Sequence, residues 1–137
     1  MTERTAACSC GQLTVKSNGE PVRVSICHCL ACQRRTGSVF GEQARFKRED
    51  IKEISGIVTT YVRVGDKGSE ISFRFCSTCG ATVYYTINKE PELVAIPVGA
   101  FADPKFPAPT LSFYEARKHD WVEVLKGPDI RRFSGDS

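Results

Sequence analysis

No stretch of this sequence stays apolar over the roughly 20 residues that a membrane-spanning helix needs, and its start, Met1-Thr-Glu-Arg-Thr-Ala-Ala-Cys8, lacks the basic segment and apolar middle of a secretory signal. No membrane partner is expected, and the expected compartment is the reducing cytoplasm. Charge of one sign is scarce as well. Nineteen Lys and Arg against sixteen Asp and Glu leave a formal +3, too little and too scattered to imply a nucleic acid or a membrane surface on electrostatic grounds. Helical periodicity is also thin: Leu30 to Arg35 makes one turn ended by Gly37 and Lys47 to Ile51 another, and neither carries the extended stripe of a packed long helix. Hydrophobic residues at 41% and charged residues at 26% exclude a disordered tail or a collagen-like fibre.

Strand patterns fill most of the chain. In Ser69 to Phe75 the apolar Ile71, Phe73 and Phe75 alternate with Glu70, Ser72 and Arg74, the period of two of a strand with one buried face. Val22, Val24 and Ile26 repeat it, as do Leu13 and Val15. Further strands are predicted at Ser38 to Phe46, Ile57 to Val64, Ala81 to Ile87, Leu93 to Val98 and Trp121 to Leu125, separated by turns such as Asn18-Gly19-Glu20-Pro21 and Gly65-Asp66-Lys67-Gly68. Phe101 to Pro109, with three prolines, reads as an irregular loop. The expected class is mainly β with little helix. For 137 residues one domain is expected, because two independent cores would leave each half near the lower limit of self-sufficiency. It is placed at residues 5–128, with 129–137 a C-terminal tail that frays at Ser134-Gly-Asp-Ser137.

What the chain has in excess is cysteine: seven, all between residues 8 and 79. A reducing compartment disfavours persistent disulfides, and an odd number cannot pair completely within one chain. The cysteines are therefore read as metal ligands or reactive thiols. They form three groups: Cys8-Ser-Cys10, Cys27-His-Cys29-Leu-Ala-Cys32 and Cys76-Ser-Thr-Cys79-Gly80. Sulfurs sharing a tetrahedral zinc, with Zn–S near ~2.3 Å, must come within roughly 4 Å of each other, which short turns achieve. The middle group can hold a metal locally, leaving Cys8, Cys10, Cys76 and Cys79 as a four-sulfur site. This partition gives two zinc ions per chain. The four-sulfur ion is closed and structural, tying distant segments across a long loop. The ion at Cys27, Cys29 and Cys32 keeps the open position of catalytic zinc, unless His28, His119 or a carboxylate closes it; an empty or reversibly oxidised thiol cluster is the other alternative. Three thiolates weaken Lewis acidity toward water and suit an incoming sulfur, so thiol chemistry is favoured over hydrolysis.

Taken together, Cys8-x-Cys10-Gly11, Cys27-His-Cys-x-x-Cys-Gln-Arg-x-x-Gly-Ser38 and Arg74-Phe-Cys-x-x-Cys-Gly80 resemble the glutathione-dependent formaldehyde-activating enzymes, a family that also includes centromere protein V. The resemblance spans roughly residues 8 to 125. It implies an antiparallel β-tent fold, structural zinc on Cys8, Cys10, Cys76 and Cys79, and catalytic zinc on Cys27, Cys29 and Cys32. The implied partners are a small thiol such as glutathione and an aldehyde such as formaldehyde. The implied reaction, S-(hydroxymethyl)glutathione synthesis, belongs with the carbon–sulfur lyases. The alternative is a zinc-stabilised module without catalysis that binds nucleic acid or protein; the small net charge weighs against nucleic acid.

Around the middle cysteines, Arg34 and Arg35 are candidates for gripping a substrate carboxylate by forked hydrogen bonds, or for offsetting the thiolate charge. The His28 ring is expected on the face opposite the flanking sulfurs, as a buttress or a surface group rather than a ligand. His119, beside Asp120, is a more remote candidate base. Phe40, Phe46 and Trp121 are expected to pack the core, and Lys126 to Arg132 to form a solvated face.

Overall fold

In the computed structural model, which describes residues 1–123 and 130–136, the chain is mainly β. The strands in chain order are β1 (Glu3–Ala7), β2 (Thr14–Asn18), β3 (Arg23–Cys27), β4 (Gly41–Lys47), β5 (Ile51–Ser55), β6 (Val58–Val64), β7 (Glu70–Cys76), β8 (Thr82–Ile87), β9 (Leu93–Pro97), β10 (Leu111–Phe113) and β11 (Arg131–Arg132). Helix α1 (Leu30–Thr36) is the α-helix among the described residues, joined by short 3-10 turns at Arg48–Asp50, Val98–Phe101 and Glu115–Arg117. No helix among the described residues is long and apolar enough to cross a membrane. The chain divides into two compact units, each assembled from separated segments: Met1–Val22 with Ala44–Phe106, and Arg23–Gln43 with Pro107–Ser137.

In the first unit, β1, β2 and β5 make an antiparallel sheet, while β6, β7, β8 and β9 form an antiparallel meander. Leu13, Val15, Phe46, Val83 and Ile96 are fully buried. The alternation read in β7 puts Phe73 against Tyr85, with ring centroids 5.0 Å apart, over Ala95 and Ile71. A register shift between Arg74 and Phe75 interrupts that phase. Such an irregularity re-aims the following residues, and here Cys76, directly after it, is fully buried.

In the second unit β10 lies parallel to both β3 and β11, two parallel pairings beside the antiparallel ones of the first unit. β3 also departs from a one-faced strand, since Val24, Ser25, Ile26 and Cys27 are all buried. Burial of Ser25 is compatible with the core because Gln43 Nε2 donates to its hydroxyl at 2.8 Å, which satisfies both polar groups. Ser134 and Gly135, at the end expected to fray, accept backbone hydrogen bonds. Glu115, Ala116 and Tyr114 donate their amides to the carbonyls of Phe133, Ser134 and Gly135. Of the strand expected at Trp121 to Leu125, residues Trp121, Val122 and Glu123 are not in a strand; Leu125, like Gly127-Pro128 and Lys126 of the basic run, lies outside the described residues.

Candidate functional site

Two turns in the first unit carry four sulfurs. The chain between β1 and β2 reverses with Cys8 N donating to Leu13 O and Gly11 N to Cys8 O, both at 3.0 Å. The chain between β7 and β8 reverses the same way, with Cys76 N to Ala81 O at 3.0 Å and Gly80 N to Cys76 O at 2.9 Å. Gly80 takes φ +82° there, a left-handed conformation that residues with a Cβ rarely adopt. The result sets Cys8 and Cys10 sulfurs 3.6 Å apart and Cys10 and Cys76 sulfurs 3.6 Å apart, with Cys79 in the same group within 4.8 Å. Four sulfurs about 2.3 Å from a common tetrahedral centre stand about 3.8 Å from each other, so these side chains fit zinc.

Hydrogen-bond donors converge on two of these sulfurs. Leu13 N donates to the Cys8 sulfur at 3.3 Å, and the amides of Thr78 and Cys79 donate to Cys76 at 3.3 Å each. Gln12 adds a side-chain donor: its Nε2 reaches the Cys76 sulfur at 2.9 Å. Burial by itself pushes the Cys76 thiol up, but the Gln12 amide, the two backbone amides and the Cys10 thiol together bring it down to about 5. Gln12 is fixed in turn by Ile57, whose carbonyl accepts from Nε2 and whose amide donates to Oε1, both at 2.8 Å. Sequence reading missed this residue, although its place two positions after Cys10 is a signal.

The second unit carries three sulfurs. Cys27 ends β3, Cys29 is the N-cap of α1, and Cys32 sits in its first turn, with Cys32 N donating to the Cys29 sulfur at 3.3 Å. All three sulfurs lie within 4.8 Å of one another, so this set too can hold a metal ion. Among the described residues no histidine or carboxylate joins either set. Hydrogen bonding with Cys29, then with Cys32, and then burial hold the Cys27 thiol well above the usual range. For Cys32, hydrogen bonding with Cys27 favours the thiolate most and Arg35 helps, but Cys29 and burial outweigh them and the thiol is raised. Three sulfurs this close together, those of Cys27 and Cys32 with raised thiols, form a donor set suited to a divalent cation.

His28 does not join this set and is buried at 1% exposure. Its Nε2 meets the Ser112 hydroxyl at 3.1 Å, and its ring lies 5.8 Å from that of Phe40. The two arginines part company. Arg34 is exposed, whereas Arg35 is half-buried and its guanidinium lies beside Gly41 with the Cβ of Cys32 in the same small space. His119 is brought to α1 after all, its Nε2 lying 3.0 Å from Gln33 Oε1. Trp121, expected to pack the core, is 72% exposed, edge-on to His119 at 6.3 Å. Phe46 is buried as expected.

The family model described as glutathione-dependent formaldehyde-activating enzyme matches residues 3–117. A crystal structure of a Rhodobacter sphaeroides protein is similar over 94% of this chain and 98% of that one, at 18% identity and a TM-score of 0.55, a likeness of fold. No curated protein matches this chain.

Proposed function

Because the chain belongs to the glutathione-dependent formaldehyde-activating enzyme family, we propose that it is a zinc enzyme of the carbon–sulfur lyase type, acting on a thiol–aldehyde adduct with glutathione and formaldehyde as partners. The observation that carries this reading is the inequality of the two cysteine sets, one offering four sulfurs and the other three with no further histidine or carboxylate among the described residues. Cys8, Cys10, Cys76 and Cys79 hold a structural zinc, and Cys27, Cys29 and Cys32 a catalytic one. Zinc in the three-sulfur set supplies affinity for an incoming thiol and makes its proton easier to lose.

The reaction forms one bond between the thiol sulfur and the aldehyde carbon, while the S–H proton ends on the aldehyde oxygen. The chain's own contribution is placement. Cys29 and Cys32 are half-exposed, so the sulfur cluster is open to a small molecule. Exposed Arg34 offers a forked donor to a substrate carboxylate, and half-buried Arg35 keeps positive charge beside Cys32. Buried Cys27 closes the rear of the set.

Exchange NMR of formaldehyde with glutathione tests the reading. Added protein accelerates interconversion of the adduct, and Cys29→Ser abolishes the acceleration; a rate equal to buffer with wild-type protein rejects this substrate assignment.

A further inference from the structure

Between Cys27 and Cys29 the chain has a single residue, and the second unit holds it by three independent ties. The His28 amide donates to Phe113 O at 3.0 Å. Its carbonyl accepts from Gln33 Nε2 at 2.9 Å. Its ring meets Ser112 Oγ at 3.1 Å, inside a fully buried environment where Ser112 is 0% exposed. The third tie continues outward. The Ser112 hydroxyl contacts Glu115 Oε2 at 2.5 Å, and Glu115 is in turn faced by Arg132 at 3.6 Å and Lys118 at 3.9 Å.

Donor counting gives this chain a direction. The single Ser112 hydroxyl proton goes to Glu115 Oε2. Ser112 Oγ then accepts from His28, which must carry its proton on Nε2. His28 Nδ1 is buried and has no hydrogen-bond partner among the described residues. The arrangement is an oriented relay of hydrogen bonds running from a half-buried carboxylate to the middle residue of the cysteine loop. It ends on His28, the residue between Cys27 and Cys29.

We propose that Ser112 and Glu115 are positioning residues for the three-cysteine site: by orienting the buried imidazole of His28 they fix the backbone from which Cys27 and Cys29 project. The role rests on the reading of that site as a metal centre. Loss of the relay leaves the sulfurs in place but lets the loop relax, so the metal is held less tightly. Groups that support ligands from outside the coordination sphere typically change affinity by about 10–100-fold. Because the relay acts on the backbone and not on a ligand atom, its loss is expected at the lower end, about tenfold.

The test is zinc competition with a chromophoric chelator on the full chain, resolving two ions, the weaker assigned by its loss in Cys29→Ser. Ser112→Ala and Glu115→Ala are expected to weaken the three-cysteine ion about tenfold while the four-cysteine ion is unchanged. Glu115→Gln, which keeps an acceptor oxygen, is expected to recover most of the loss. The cobalt-loaded variants are expected to show a shifted thiolate charge-transfer band for that site alone. Independently, side-chain nitrogen NMR of the wild type is expected to show His28 as the Nε2–H tautomer, a readout that survives if Ser112→Ala fails to fold. Variants that bind the second ion as tightly as wild type, or an Nδ1–H tautomer, overturn the inference. A wild type that binds only the four-cysteine ion instead overturns the reading of the site itself, and the two failures are thereby separate.

Discussion

Gly56 is the position where a single methyl group is expected to do most harm to the four-cysteine site without touching a cysteine. A Cβ built there lies 2.2 Å from the Gln12 carbonyl oxygen, 2.8 Å from Gln12 Oε1 and 2.8 Å from Leu13 Cα, at a backbone φ of +115°. Two of the three obstacles are backbone atoms, so no rotamer change relieves them. The backbone conformation alone costs an L-residue about 1–3 kcal/mol. Clearing the contact requires moving the segment 12–13 by about 1 Å against Ile57, which breaks the paired bonds between the Gln12 side chain and the Ile57 amide and carbonyl, worth about 1 kcal/mol each. Together these give about 3–5 kcal/mol for Gly56→Ala, a large share of the stability of a domain this size. The assay is urea denaturation of the metal-loaded protein, with chelator-induced metal release measured in parallel. The expected result is a midpoint lowered without a change in slope, and faster loss of one ion. A variant within about 0.5 kcal/mol of wild type, the usual range for an innocuous surface change, would refute the close approach and the reasoning built on it.

Other perturbations follow from the same contacts. Gln12→Leu removes the donor on Cys76 and so raises that thiol; protons then compete with the metal sooner, and the pH midpoint of release from the four-cysteine site is expected to move upward, an unchanged midpoint counting against the contact. Burial raises the Glu42 carboxyl above its ordinary value. Its contribution to stability is thus fully present below the unfolded value near 4.5 and is lost as pH rises through the folded one. Glu42→Gln is therefore expected to stabilise at pH 7 and to show no gain at pH 3, as read from thermal melts. Cys76→Ser is expected to lose the fold along with its metal, whereas Cys29→Ser loses one ion and stays folded by circular dichroism. Equal collapse of both variants contradicts the division of labour between the sites.

The parts of this molecule that could be read in sequence are those written in local spacing. The meander from Val58 to Pro97 came from alternation and from Gly- and Pro-bearing turns, and the cysteine groups came from separations of two and three residues. β5 was not legible because its residues after Ile51 are all exposed and bury nothing periodic. β10 escaped notice because it is three residues long and follows prolines, and its parallel pairing with β3 is a long-range choice with no local mark. The same reason hid the support around the sites. Gln12 meets Cys76 and Ser112 meets His28 across 64 and 84 residues of chain, and a glutamine or serine in isolation carries no chemistry that singles it out. Gln33, by contrast, lies inside the Cys-Gln-Arg motif, and its two amide bonds to His28 and Arg117 give that motif position a physical purpose. Trp121 misled because size normally predicts burial, and nothing local reveals that it packs edge-on to an exposed histidine.

The central claim is that one sulfur cage is complete while the other leaves room for a visitor. Cobalt substitution followed by titration with a small thiol addresses it directly, because thiolate–cobalt charge transfer reports each added sulfur. The expected record is an initial spectrum of two unequal centres in which only the component absent from Cys29→Ser responds to the thiol, gaining intensity to saturation. Two centres already filled by protein donors and indifferent to any added thiol would contradict the claim.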